Sequence, residues 1–157
     1  MTTAILIGVI SDTHGLLRPE AIQALQGSAQ IIHAGDVGDP SILEELAKIA
    51  PVKAVRGNVD KGSWARKLQE TEVVEAGGIS LYVLHDLAQL DLEPRAAGFH
   101  AVISGHSHIP KRVVNHGVLY FNPGSAGPRR FKLPVSLGRL ILEAGSVRAE
   151  IVKLDDV

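Results

Sequence analysis

The chain has 157 residues, 45% of them apolar, with 16 basic and 17 acidic side chains giving a formal net charge of -1. This length suits a single domain over residues 1–157 with a sizeable core, and the even charge excludes a protein that grips long nucleic acid mainly through phosphates, which draws on clustered Lys and Arg. The absence of cysteine excludes disulfides and thiolate metal sites and fits a reducing compartment, with the cytoplasm as the expected location.

Ile5 to Ile10 is a nearly continuous apolar, β-branched run, the pattern of a strand covered on both faces. It has no basic flank and is too short to span a bilayer, so neither a signal peptide nor a membrane segment is expected. The run ends at Ser11-Asp12-Thr13-His14-Gly15. Pro19 to Leu25 carries apolar residues at helical spacing with proline in the first turn, which predicts a short helix. Ile31 to Ala34 reads as a second buried strand ending at Gly35-Asp36-Val37-Gly38-Asp39. Ser41 then predicts the cap of a helix with Ile42, Leu43, Leu46, Ala47 and Ile49 on one face, Glu44 completing a capping box. Val52 to Val55 gives a third strand, followed by Gly57-Asn58-Val59-Asp60. Strand, helix, strand, helix, strand with short links predicts βαβ units and a parallel sheet, hence an α/β fold.

After Lys61 the texture changes. Trp64 to Gln69 reads as loop or a helical turn, and from Glu72 the chain reads as hairpins: Val73-Val74, a turn at Ala76-Gly77-Gly78, then Ile79 to Leu84 ending at His85. Pro94 to Ala97 predicts a short helix. Ala101 to Ser104 is a strand that runs into Gly105-His106-Ser107-His108. Arg112 to Val114 and Val118 to Phe121 flank a hairpin loop at Asn115-His116-Gly117, and Asn122-Pro123-Gly124-Ser125 has the proline and glycine placement of a type II turn. Val135 to Leu142 and Val147 to Leu154 form a closing hairpin.

Five polar clusters therefore follow predicted strands: Asp12 with His14, Asp36, Asn58, His85, and His106 with His108. Ligands in sheets with parallel strands bind beyond the carboxyl ends, so these side chains can converge although far apart in sequence. Singly, each has an ordinary structural use in a cap, a turn or a satisfied core position. Together they offer seven oxygen and nitrogen donors without sulfur, a set that suits divalent Mn, Fe, Zn or Ni. Seven donors are too many for one tetrahedral ion and about right for two. A pair of ions about 3.5–4 Å apart needs one bridging carboxylate, and Asp36 is the residue chosen for it. A water held between two cations is deprotonated near neutral pH and becomes the nucleophile, while the same cations offset charge on a phosphoryl oxygen.

The set Asp12-x-His14, Gly35-Asp36-x-x-Asp39, Gly57-Asn58-x-Asp60, His85 and Gly105-His106-x-His108 resembles the signature of the calcineurin-like metallophosphoesterases, in detail their small single-domain bacterial and archaeal phosphodiesterase branch. The resemblance implies a four-layer αββα sandwich, two mixed sheets flanked by helices, with a dinuclear centre at the strand ends. It implies Asp12, His14, Asp36 and His108 around one divalent ion and Asp36, Asn58, His85 and His106 around the other, manganese foremost with nickel, zinc or iron as alternatives. Asn58 and His106 are also the implied catalytic residues. The implied substrate is a small phosphoester, with self-association as an option and no membrane partner. Asn122 to Ser125 resembles a structural turn of this branch, followed by Arg129. Asp39 and Asp60 are candidates for orienting ligands or backbone, and the glycines at 35, 57 and 105 let backbone pass close to a crowded site.

Two departures from that pattern bear on chemistry. Phosphomonoesterase members often carry His after the metal-binding Asn, as proton donor to the leaving group; Val59 stands there and cannot donate. Without a general acid, worth about 10²- to 10⁴-fold in rate, substrates whose leaving group departs as a stable anion are favoured, which points to diesters or activated esters. Asp86 stands where the family more commonly has Gly, and its carboxylate could repel substrate, bind a metal or face solvent. The rival reading is a non-catalytic scaffold of the retromer-subunit type on the same fold. A metallo-β-lactamase would want Asp-His soon after the His pair, where Ile109-Pro110-Lys111 stands instead. Arg129, Arg130 and Lys132 form the one local basic cluster, able to be solvated or to meet substrate phosphate.

Overall fold

The computed structural model describes residues 3–154. Among the described residues ten strands form two five-stranded sheets. The first is built from β1 (Ile5–Ile10), β2 (Gln30–His33), β3 (Val52–Ala54), β9 (Ser136–Glu143) and β10 (Ser146–Lys153), in the order β10-β9-β1-β2-β3. The second holds β4 (Thr71–Ala76), β5 (Ile79–Leu84), β6 (Ala101–Ile103), β7 (Lys111–Asn115) and β8 (Val118–Asn122), in the order β4-β5-β6-β8-β7. Both are mixed. β1, β2 and β3 run parallel and β9 and β10 close that sheet antiparallel. In the other sheet β5, β6 and β8 run parallel between antiparallel edges.

Strand alternation builds the layers. Ile7 and Val9 of β1 point into the space between the sheets, where they meet Leu81 and Val83 of β5, Ile103 of β6 and Phe121 of β8. Ile10 and Ile31 point the other way, onto Ala21, Ile42 and Leu46 of the helices α1 (Pro19–Ala24) and α2 (Pro40–Ala47) and onto Leu25, which caps the end of α1. A strand with both faces covered must be apolar at every position, which is why β1 reads as an unbroken run rather than an alternation. The outer face of the second sheet carries a thinner layer, in which Leu90, Leu92 and Phe99 pack on Tyr82, Leu84 and Val102. The expected sandwich of two mixed sheets is thus present, with its helices concentrated on the first sheet.

Two local expectations are corrected. The cap of α2 is Asp39, whose Oδ1 accepts from the Ser41 N–H at 2.9 Å, and Pro40 occupies the first turn. Proline at the first helical position moves the cap one residue upstream of it, so Ser41 lies inside the helix. Residues 94–98 form hydrogen-bonded turns rather than a helix, preceded by a 3-10 turn, Leu87–Gln89, that Asp86 caps. The stretch after Lys61, read as loop or a helical turn, contains a single helical turn, α3 (Ser63–Arg66). Among the described residues no helix is long and apolar enough to cross a membrane.

Candidate metal centre

The loops after β1, β2, β3, β5 and β6 meet at one end of the sandwich; those after β1 and β6 each deliver two of the candidate side chains and the other three deliver one each. Asp12 Oδ1 lies 3.3 Å from His108 Nε2, 3.8 Å from His14 Nε2 and 3.9 Å from His85 Nε2. Asp36 Oδ2 lies 3.2 Å from His85 Nε2 and 3.7 Å from His14 Nε2, so one carboxylate oxygen faces both halves of the cluster. Two groups of donor atoms are close enough to hold an ion: Asp12, His14 and His108, and Asp36, His85 and His106. Asn58 joins the second group, its Oδ1 3.0 Å from His85 Nε2. All seven candidates therefore come together.

The backbone is bent to achieve this. Asp12, His14, Asp36, His106 and His108 all have φ between 47° and 70°, the left-handed region. Asp and His tolerate that region better than most residues, yet it costs about 1 kcal/mol or more at each position. The left-handed turns aim side chains from the strand ends into a common centre. Gly35 serves the same crowding: a Cβ there would sit 2.6 Å from His85 Nδ1.

The far oxygen of each carboxylate is tied to protein. Asp12 Oδ2 accepts from Ser11 Oγ at 2.7 Å and from the His106 N–H at 3.0 Å, and Asp36 Oδ1 accepts from the Val59 N–H at 3.0 Å. Asp12 Oδ1, by contrast, is buried and accepts no hydrogen bond, its contact with His108 being poorly aligned for one; the same holds for His108 Nδ1. Burial pushes the Asp12 carboxyl upward, but the close approach of His108, the Ser11 hydroxyl and the His85 charge outweigh it and hold the group below its ordinary value. Asp36 follows the same balance: burial raises it, His85 and the Val59 N–H lower it further, and the net direction is down. Both carboxylates are held as anions.

His85 carries the opposite signature. Its Nδ1–H donates to the Ala34 carbonyl at 2.7 Å, which leaves the Nε2 lone pair facing the oxygens of Asn58 and Asp36. Three lone-pair atoms turned on one another need a proton or a cation between them. Burial lowers the ring, but Asp36, the Ala34 carbonyl and Asp12 outweigh it and raise its pKa above the ordinary histidine value. The fixed His85 tautomer, the anionic carboxylates and an orphaned buried oxygen are what a divalent ion would satisfy, so the residues fit the expected metals.

Further residues hold the loops. Asp60 accepts from three backbone N–H groups, of Gly57 at 2.8 Å, Gly38 at 2.9 Å and Val37 at 3.2 Å, and so ties the Asp36 loop to the Asn58 loop. Asn122 Nδ2 donates to the Gly105 carbonyl at 2.9 Å, and Ser125 Oγ donates to the Asp12 carbonyl at 3.0 Å, which gives the turn at 122–125 its structural work. His33 is a residue that sequence reasoning missed. Thr13 Oγ1 donates to the Val37 carbonyl and therefore accepts from His33 Nε2–H at 3.0 Å, while His33 Nδ1 accepts from the Gly35 N–H at 3.1 Å. Complete burial outweighs the nearby carboxylates and pushes its pKa down to about 4, so the ring is a neutral strut between the first two loops.

A cleft of about 590 Å³ opens beside His85 and His106, with Arg56, Asn58 and Lys61 on its wall. Arg56 and Lys61 flank the Asn58 loop directly, an adjacency that could have marked them in the sequence. Arg129, Arg130 and Lys132 are exposed and line neither this cleft nor its neighbour. Asp86 is half-buried: its Oδ1 caps the 3-10 turn through the Ala88 N–H, and its Oδ2 lies 3.8 Å from His106 Nε2.

The sequence profile of the calcineurin-like phosphoesterase superfamily domain matches residues 5–145, which takes in every candidate donor. The chain belongs to this superfamily. Within it, this calcineurin-like chain is 36% identical over 159 residues to a protein of Methanothermobacter thermautotrophicus described as a probable metallophosphoesterase, covering 94% of the chain and 92% of that relative. Its fold is shared with an archaeal phosphodiesterase (TM-score 0.77, 23% identity, 94% of this chain and 100% of the other) and with the Vps29 of Entamoeba histolytica in complex with zinc (TM-score 0.72, 24% identity, 96% and 100%).

Proposed function

We propose that this phosphoesterase domain is a metal-dependent phosphodiesterase whose two divalent ions, manganese foremost, are held by Asp12, His14, Asp36 and His108 on one side and by Asp36, Asn58, His85 and His106 on the other. The observation that carries the reading is Asp12 Oδ1, a buried carboxylate oxygen with no hydrogen-bond donor, ringed by three histidine Nε2 atoms. Asp36 would be shared by both ions: its Oδ2 faces His14 of one group at 3.7 Å and His85 of the other at 3.2 Å, whereas Asp12 Oδ1 stands 3.9 Å from His85. Bound there, the ions supply an activated water and a positive field for the phosphoryl oxygens.

The chain's own residues set the rest. Ser11, the His106 N–H and the Val59 N–H fix each carboxylate so that one oxygen stays aimed at the centre. Asn58 and His106 stand at the mouth of the cleft, partly exposed, where they can donate to non-bridging oxygens of a phosphoryl group. Lys61 adds positive charge on the same wall. The net reaction adds water across one P–O ester bond, giving a monoester and an alcohol, with one water proton ending on the departing oxygen. Val59 presents only an exposed apolar side chain beside Asn58 and cannot supply that proton. A leaving group stable as an anion is therefore favoured, which supports diesters and aryl esters over alkyl monoesters.

A scaffold of the Vps29 kind is the second reading, favoured by the fold neighbours. One of them is described with zinc bound, so metal uptake does not separate the two; turnover does. Protein stripped of metal and refilled with Mn, Ni, Zn or Mg is assayed against matched aryl diester and monoester substrates. Diester hydrolysis restored by a transition metal supports the proposal. Alkyl monoester hydrolysis at comparable rates overturns the Val59 argument, and no hydrolysis with any metal leaves the scaffold reading.

A further inference from the structure

A second cleft of about 620 Å³ lies on the other side of His106 and Asp86, which stand in the walls of both. Its character differs. The β7–β8 register puts Val113 opposite Tyr120, and Lys111 opposite Asn122, on the outer face of the second sheet. Leu87 from the 3-10 turn and Ile109 from the loop after His108 close the sides. Leu87, Ile109 and Val113 are 39%, 51% and 42% exposed, an apolar group left open because the layer over this end of the sheet is thin. Its volume is within the range of ligand sites, about 300–1,000 Å³.

We infer that this groove is a specificity subsite for the retained arm of the substrate, and that the preferred diester carries an aromatic or other planar apolar group on that arm. The inference rests on the phosphodiesterase reading. A diester places two organic groups on opposite sides of phosphorus, and two clefts meet at His106, where phosphorus is expected. The leaving oxygen builds up negative charge, which apolar walls cannot stabilise; the first cleft, the more polar of the two, with Lys61 on its wall and Arg56 paired to Glu70, suits it better. The retained arm stays uncharged at its ester oxygen, and burial of an apolar ring against Ile109, Val113 and Tyr120 favours it.

The test compares bis(p-nitrophenyl) phosphate with methyl p-nitrophenyl phosphate on manganese-loaded enzyme. The two share a leaving group and differ in the retained arm. Ile109→Asn and Val113→Asn, at exposed positions, should lower kcat/KM for the bis-aryl ester at least about five-fold more than for the methyl ester. In parallel, methyl NMR should show diphenyl phosphate shifting Leu87, Ile109 and Val113 resonances that dimethyl phosphate leaves in place. Equal losses for both substrates overturn the subsite, as does an unperturbed groove, or self-association in wild type that these variants abolish, which would assign the patch to a second copy. If wild type hydrolyses no diester, the phosphodiesterase reading fails by itself, and the NMR titration still decides whether the groove takes an aryl group.

Discussion

Asp12 Oδ1 and His108 Nε2 lie 3.3 Å apart, and neither that oxygen nor the other ring nitrogen of His108 has a hydrogen-bond partner. Buried polar atoms in folded proteins are almost always paired. The orphaned Asp12 oxygen, on a residue at left-handed φ and facing His108 Nε2, is the atom that a cation would satisfy. Asp12→Asn keeps the shape and removes the charge. It is expected to lower manganese binding in the first site and diester hydrolysis by about 10²-fold or more, read by metal analysis of the dialysed variant beside its activity. Full metal content in the variant would remove Asp12 from the site.

His33 gives the metal-free protein a defined pH dependence. Its folded pKa, about 4, lies below the ordinary value of 6.5. Between these two values the unfolded chain binds a proton that the folded chain refuses, so stability is fully present above pH 6.5 and falls as pH drops towards 4. The shift corresponds to about 3 kcal/mol. Urea unfolding of stripped protein across this window should show the loss, and His33→Gln should flatten it. His85, whose folded pKa is raised, acts in the opposite sense: its contribution is present below 6.5 and fades as pH rises through its folded value. Asp12 and Asp36, both lowered, add losses only below the carboxylate value of 3.8.

Asp60 tests how the loops are held. Its carboxylate accepts the N–H groups of Val37, Gly38 and Gly57, so Asp60→Ala strands three donors in a buried position. A loss of about 3 kcal/mol or more is expected, a fall in Tm of about 6 to 12 °C. Weaker metal binding should accompany it, because Asp36 and Asn58 lose their common brace.

These residues differ in how legible they are from sequence. The strand ends carrying Asp12, Asp36, His85 and His106 could be read because strands covered on both faces are apolar throughout, and each run stops at a polar turn. The helix start at Asp39 was equally present in the Asp39-Pro40 pair, but the Ser41 and Glu44 spacing matched a capping box and masked it. Residues 94–98 contain helix formers, yet the segment is fixed from outside. Leu90, Leu92 and Phe99 pack onto the second sheet, and short-range spacing cannot show that. His33 sits among Ile31, Ile32 and Ala34 and reads as core; its role depends on Thr13, twenty residues away.

Asp86 separates charge from capping. Asp86→Asn retains an acceptor for the Ala88 N–H, whereas Asp86→Gly removes both the acceptor and the carboxylate facing His106. A change of about three-fold or more in manganese affinity or diester turnover is expected in both variants, since each loses a negative charge close to the second group of donors. Unchanged values in both would make Asp86 a bystander, and a change confined to Asp86→Gly would assign its effect to the 3-10 turn.

The claim on which the rest depends is that the seven side chains at the strand ends take two ions joined through Asp36. Calorimetric titration of manganese into stripped protein measures it directly, with Asp36→Asn titrated alongside. Two ions per chain for the wild type, and at most one for the variant, are the predicted stoichiometries. One ion or none in the wild type, or two in both proteins, would contradict the account.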